Sequence, residues 1–229
     1  MTTVISLGGS IVAPDGVDTE FLASFRTLLR ERIQRHSERF VLVVGGGGPA
    51  RRYQKAYREL NPDADNETAD WIGIRATWLN AELVRAVFGP DCTQAVVTNP
   101  YEADPEAGDA VVVAAGWKPG FSTDFDAVVL AERFGADSVL NLSNIEQVYS
   151  ADPKLDPNAT PLERMNWTEF RKLVGEDWNP GANAPFDPIA SRRAAELGLK
   201  VVVAAGRDLD NLGKLLSGGT YHGTTIGPE

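Results

Sequence analysis

Phe40-Val41-Leu42-Val43-Val44-Gly45-Gly46-Gly47-Gly48-Pro49 is the stretch on which the fold turns. Five apolar, largely β-branched residues are too few for a helix and suit a strand buried on both faces. Four glycines follow, and up to ~1 kcal/mol of backbone entropy is lost at each relative to alanine in regular structure. Pro49 suits the first position of a helix, and Pro49–Leu60 reads as that helix, with Arg51 and Arg52 near its start. A glycine turn between a strand and a helix N-terminus favours a bound anion, and an arginine beside it can clamp a phosphate bidentately. A flexible loop with surface arginines is the plainer alternative.

The same grammar occurs at the N-terminus. Val4–Leu7 reads as a strand and Gly8-Gly9-Ser10 follows it, offering backbone N–H groups and a hydroxyl to phosphate oxygens. Alone, this pair of glycines is more often a simple turn. Neither turn is a G-x-x-x-x-G-K-[ST] loop or a G-x-G-x-x-G fingerprint, so P-loop and Rossmann readings fall.

Further out, Gln94–Thr98, Asp109–Ala114, Ser138–Leu142 and Lys200–Ala204 read as short buried strands. Between them lie helical patterns. Thr19–Arg35 sets Phe21, Phe25, Leu28 and Leu29 near one face behind Asp18 as N-cap. Asp70–Phe88 stops at Gly89-Pro90, while Asp124–Phe134 and Pro188–Leu197 stop at Gly135 and Gly198. This alternation predicts an α/β fold with three layers, α/β/α, around a mostly parallel sheet. Asn144–Pro161 and Gly175–Pro185 are polar, Pro-rich segments long enough to be either functional loops or surface insertions.

At 229 residues the chain has room for one large α/β domain or two small ones. Lys plus Arg number 22 against 32 Asp plus Glu, a net charge of −10, which argues against nucleic acid or an anionic membrane as partner. The start, MTTVISLGGSIV, lacks the basic leader of a signal peptide, and no apolar run nears the ~20 residues of a membrane span. Cys92, the single cysteine, excludes an internal disulfide, so a cytoplasmic location is expected. His36 and His222 have no evident partners and read as surface residues.

Taken in order, the motifs resemble the amino-acid kinase family. Asp70-Trp71-Ile72-Gly73-Ile74-Arg75-Ala76-Thr77 with Asn80 is similar to the D-x-x-G-x-x-x-T-x-x-N segment of its UMP kinase members. Gly116-Trp117-Lys118-Pro119-Gly120-Phe121-Ser122-Thr123-Asp124 resembles their acceptor-nucleotide loop, and Ser143-Asn144-Ile145-Glu146-Gln147-Val148-Tyr149-Ser150-Ala151-Asp152-Pro153 their ATP segment. Phe186-Asp187-Pro188-Ile189-Ala190 and Gly223-Thr224-Thr225-Ile226 are similar to the archaeal-type branch.

The resemblance implies one kinase domain over 1–229, with an acceptor part at about 1–135 and an ATP part at about 136–229. It implies transfer from ATP, with Mg²⁺, to UMP in pyrimidine nucleotide synthesis, by a homo-oligomer, a hexamer built from dimers. Gly46, Asp70 and the loop Trp117, Lys118, Pro119, Gly120, Phe121, Ser122 and Thr123 would contact UMP. Gly8, Gly9, Ser10, Gly47, Arg51, Ser143, Asn144, Tyr149 and Asp152 would contact ATP or the phosphates between the nucleotides. Arg51, Lys118 and Asp124 would carry the catalytic work, and no protein metal site is expected. On the residues alone, Asp70 could equally be a helix N-cap, Ser122 or Thr123 a cap of the next helix, and Tyr149 a loop anchor.

Ser6 stands where many family members have lysine, Trp117-Lys118 where smaller polar residues are usual, and Glu146-Gln147 where Asp-Gly is usual. Two rivals stay open. One is the same fold with another acceptor, such as a carbamate, a carboxylate or isopentenyl phosphate. The other is a noncatalytic nucleotide-binding regulator. The apolar Trp71, Trp78 and Leu79 would serve either an oligomer interface or the core.

Overall fold

A computed structural model describes residues 2–153, 155–175 and 184–228. The first glycine turn links strand β1 (Thr2–Leu7) to a single turn of helix, α1 (Gly9–Val12), before α2 (Thr19–His36). Then come β2 (Arg39–Val44), α3 (Gly47–Leu60), α4 (Asn66–Phe88), β3 (Val111–Ala114) and α5 (Thr123–Arg133). The second half holds β4 (Ser138–Ser143), the short pair β5 (Val148–Tyr149) and β6 (Pro161–Leu162), β7 (Arg164–Asn166) and α6 (Trp167–Val174). It closes with α7 (Pro188–Glu196), β8 (Lys200–Ala205), α8 (Leu209–Leu216) and β9 (Thr224–Gly227).

Seven strands form one sheet in the order β3-β2-β1-β4-β8-β9-β7, and β9 runs antiparallel to β8 while the β3-to-β8 neighbours are parallel. The period-2 geometry of the central strands splits the core into two. Val4, Val41 and Val43 pack under α5 and α7, whereas Ile5, Leu7, Leu42 and Val44 pack with Phe25 and Leu29 of α2. Ser6 shares the face of Val4 and so looks toward α5. The chain winds from β1 out to β3 and then returns to the other side of β1 with β4. Such a reversal leaves a crevice at the carboxyl ends of the strands, where open α/β sheets bind ligands. Both glycine turns lie at that edge. No helix among the described residues is long and apolar enough to cross a membrane.

Three expectations need correction. Gln94–Thr98 is not a strand: Val97 makes a single bridge to Ala114, because the Asp109 carboxylate takes the N–H groups of Thr93 and Gln94 at 2.9 and 2.8 Å and turns the chain. Asp70 is no cap, since α4 begins four residues earlier behind Asp65, which accepts from Thr68 N. Asn144–Pro161 is not all loop, for it contains the β5–β6 hairpin. Of the second long segment, residues 176–183 lie outside the described set. Asp18, by contrast, caps α2 as expected, and Gly135 and Gly198 take positive φ after their helices.

Candidate functional site

The two glycine turns touch. A Cβ on Gly9 would overlap the amide nitrogen of Gly47 and lie 2.6 Å from the carbonyl carbon of Gly45. Only glycine allows this approach. Gly8 N donates to Leu142 O of β4, Gly45 N to Leu7 O and Gly48 N to Ala13 O, so the outer parts of both turns are pinned. Among the described residues no acceptor meets the N–H groups of Gly9, Ser10, Gly46 and Gly47. Together with the start of α3, these donors form a concave nest for an anion. Arg51 lies one turn into α3, exposed and without an ion-pair partner among the described residues; its one hydrogen bond is a long 3.4 Å contact to Pro14 O.

Beside the nest is an open cleft of about 570 Å³ lined by Asn66, Glu67, Asp70, Trp71, Lys118, Pro119 and Gly120. Asp70 Oδ2 accepts from Gly120 N at 3.2 Å, which ties the helix to the loop and leaves Oδ1 for another donor. Lys118 rests its ammonium 3.9 Å above the Trp117 ring and 5.2 Å from Phe121. Those two rings pack against the core, Trp117 edge-on to Tyr101 at 5.2 Å and Phe121 tilted against Phe125 at 4.6 Å. Ser122 caps α5 by accepting from Phe125 N, while Thr123 and Asp124 form its first turn.

Asp124 points back under β1. Its Oδ1 accepts from Ser6 Oγ at 2.9 Å and its Oδ2 from Asp187 N at 3.3 Å. Hence a neutral hydroxyl and an amide, and no cation, satisfy the Asp124 carboxylate beside Ser6. Burial raises the Asp124 pKa to about 6, helped by the charge of nearby Asp187 and opposed by its hydrogen bonds. Burial also raises Asp187, and holds Asp126 well above the ordinary carboxylate range. Among the described residues Asp126 Oδ1 and Asp187 Oδ2 make no hydrogen bond of good geometry, though the Ser122 hydroxyl lies near enough to lower the Asp187 pKa.

A stability prediction follows. Asp124 holds its proton more tightly folded than unfolded, so its favourable contribution is complete at acid pH and lost as pH rises through about 6. Against wild type, Asp124→Asn should gain about 2 kcal/mol of relative stability between about pH 4.5 and 8. Urea unfolding at both values checks this, and a difference independent of pH would refute it.

On the other side of the first turn Ser143 ends β4 and its Cα sits 3.4 Å from a Cβ built on Gly8; its hydroxyl accepts from Ile145 N. Gln147, which replaces the usual glycine, is buried and donates to Gly223 O, so it braces the hairpin carrying the half-buried Tyr149. Asn144 is exposed, and Asp152 has an interaction of its own in the following loop.

The sequence pattern of the amino acid kinase family matches residues 1–205. The uridylate kinase of Methanospirillum hungatei is 40% identical over 228 residues, 98% of this chain and 94% of that one. The chain belongs to the amino acid kinase family. The uridylate kinase of Methanococcus maripaludis is 32% identical with both chains fully covered. The crystal structure of uridylate kinase from Archaeoglobus fulgidus superposes with a TM-score of 0.82 at 33% identity, over 99% of this chain and all of that one. UMP kinase from Bacillus anthracis, at 19% identity and TM-score 0.78, shares the fold.

Within the family frame the structure gathers Gly8–Ser10 and Gly45–Gly48 at one point, with Arg51 one turn further along α3, and Asp70 with Lys118–Gly120 at another. It does not bring the Lys118 ammonium to the nest, since that group is seated on aromatic rings. The cleft residues Asn66 and Glu67 were not foreseen, because the expected helix began at Asp70. Asp65 with Glu67 in the first turn was the available signal. Asp187 was noted for its motif but not for its contact with Asp124, a pairing across 63 positions that no local pattern carries.

Proposed function

We propose that this chain transfers the γ-phosphoryl group of ATP to UMP, giving UDP and ADP. The observation that carries the reading is the nest of unpartnered N–H groups where two glycine turns meet, set between the Asp70–Lys118 cleft and the Ser143–Tyr149 loops. UMP would lie in the cleft with its ribose or base on Asp70, and ATP would enter over Ser143, Asn144, Tyr149 and Asp152. The 1–135 part would thus serve the acceptor and the 136–229 part the donor.

An oxygen of the UMP phosphate attacks the γ-phosphorus, the bond to the β,γ-bridging oxygen breaks, and ADP departs with that electron pair. Alignment and charge neutralisation suffice for such a transfer, and no protein nucleophile is required. The amides of Gly9, Ser10, Gly46 and Gly47 would hold the non-bridging oxygens, while Arg51 supplies positive charge. Lys118 would steady the acceptor side from its seat on Trp117. Mg²⁺ when bound offsets charge on the donor phosphates. Among the described residues no group of three acidic, histidine or cysteine side chains could hold a metal, so the ion would depend on phosphate oxygens. Asp124 would organise Ser6 and the Asp187 amide beneath the nest. A hexamer fits the same reading, with Leu79 (70% exposed) and Trp71 (36% exposed) on its interfaces.

The test is ADP formation from ATP with UMP, CMP, AMP, a carbamate and isopentenyl phosphate as acceptors. Turnover confined to UMP is the expected result. A different preferred acceptor, or tight ATP binding without turnover, would overturn it.

A further inference from the structure

One side of α4 has duties that the nucleotide contacts leave unexplained. Asn80 is buried, and both hydrogens of its side-chain amide are spent on the second glycine turn, on Gly45 O at 2.8 Å and Gly46 O at 3.1 Å. In a trans peptide the N–H points opposite to the preceding carbonyl. Fixing those two carbonyls against α4 therefore turns the N–H groups of Gly46 and Gly47 away from it, which is why they are unpartnered and available to an anion.

One turn earlier the same helix grips the root of the acceptor loop. Thr77 Oγ1 gives its proton to Ile74 O at 2.7 Å, which leaves its lone pairs to accept from Gly116 N at 2.8 Å. Trp78 Nε1 donates to Gly116 O, also at 2.8 Å. Thus both backbone polar groups of one glycine are held by adjacent residues of α4. Gly116 also lets the strand end come close, because a Cβ there would stand 3.1 Å from Thr77 Oγ1. The Arg75 guanidinium stacks 3.9 Å over the Trp78 ring and fixes the indole from outside. Along the axis, Asp70, Thr77 and Asn80 lie about 10 and then 5 Å apart at ~1.5 Å per residue.

We propose that Thr77, Trp78 and Asn80 are positioning residues of the transfer reaction: through them one stretch of α4 sets the distance between the acceptor loop and the phosphate-binding turn. The inference rests on the phosphotransferase reading above. Neither end can move without the other while the helix is intact, and a shift of about 1 Å in such a reaction lowers its rate on the order of a hundredfold.

The test compares Thr77→Val, which keeps the shape and loses the acceptor, with Thr77→Ser, which restores it. Rates are taken on whichever acceptor wild type uses. Thr77→Val should lower kcat and raise acceptor KM roughly tenfold each, with ATP KM changed less than about threefold, and Thr77→Ser should recover to within about threefold. Trp78→Phe, which keeps the aromatic packing and loses only the donor, should move the same two constants in the same direction and covers the case in which Thr77→Val fails to fold. Amide hydrogen exchange over 116–121 should quicken about tenfold in either variant while exchange in β1 stays unchanged. If wild type uses no acceptor, the functional reading falls and the exchange comparison still decides this inference. Unchanged kcat, acceptor KM and exchange in a folded Thr77→Val or Trp78→Phe would overturn it, as would failure of serine to rescue.

Discussion

Gly9→Ala is expected to abolish useful turnover and to destabilise the chain, although it adds one methyl group. The new Cβ would overlap the Gly47 nitrogen and sit 2.6–2.7 Å from the carbonyl carbon and oxygen of Gly45. All three are backbone atoms, so no side chain can rotate away, and one of the two turns has to move. Moving them is resisted at every edge. Gly8 N and Gly45 N are held by Leu142 O and Leu7 O, and the turn beyond is held by Asn80. Overpacking of this kind costs about 3 kcal/mol or more. For a chain of this size that lowers Tm by roughly 10 °C. A displacement near 1 Å at the nest accounts for a further loss of at least ~10²-fold in kcat. Gly16→Ala is the matched control, because nothing lies within 4 Å of its Cβ and its φ is not positive. It should be neutral or up to about 1 kcal/mol stabilising, through the unfolded chain. Thermal unfolding and ADP-release kinetics of both variants decide the matter. A Gly9→Ala protein with wild-type Tm and rate would mean that the turns do not meet as described.

The turns themselves were legible because their signals are local. Five apolar residues, glycines and a proline name a strand, a turn and a helix start with no reference to the rest of the chain. Other elements carried equally local signals that were passed over. Asn166 and Glu169 form a capping box at the start of α6, and Asp208 with Leu209, Leu212, Leu215 and Leu216 marks α8. Gln94–Thr98 misled in the opposite way. Its short apolar run with paired valines is that of a buried strand, but Asp109, fifteen positions away, takes the Gln94 N–H and ends the ladder. What joins the two turns into one site is less visible still. Gly9 against Gly47, Asn80 against Gly45, Thr77 against Gly116 and Asp124 against Ser6 are contacts between distant positions. They exist only once the sheet has set β1 between β2 and β4. The family pattern marks such residues, while the fold alone says what each one touches.

Arg51→Ala separates activity from stability where Gly9→Ala damages both. The guanidinium is exposed, pairs with no carboxylate among the described residues, and reaches only Pro14 O at 3.4 Å. Removing it should therefore leave stability within about 0.5 kcal/mol of wild type, as for other surface substitutions. Its position argues for a large kinetic effect. The nest supplies dipoles and no whole charge, Ser6 supplies none beneath it, and the Lys118 ammonium is occupied on the Trp117 ring. On the proposed reading Arg51 would then be the charge of the second turn that meets the transferring group. Loss of one preorganised donor of this type removes ~3–4 kcal/mol of transition-state stabilisation, a fall of roughly two to three orders of magnitude in kcat. Arg51→Lys keeps the charge but not the planar fork, and should recover part of the loss. Steady-state rates at saturating ATP and UMP, with Tm measured alongside, provide the check. Turnover of Arg51→Ala within threefold of wild type would remove the residue from the mechanism and leave the neutralising charge to the metal-bound nucleotide alone.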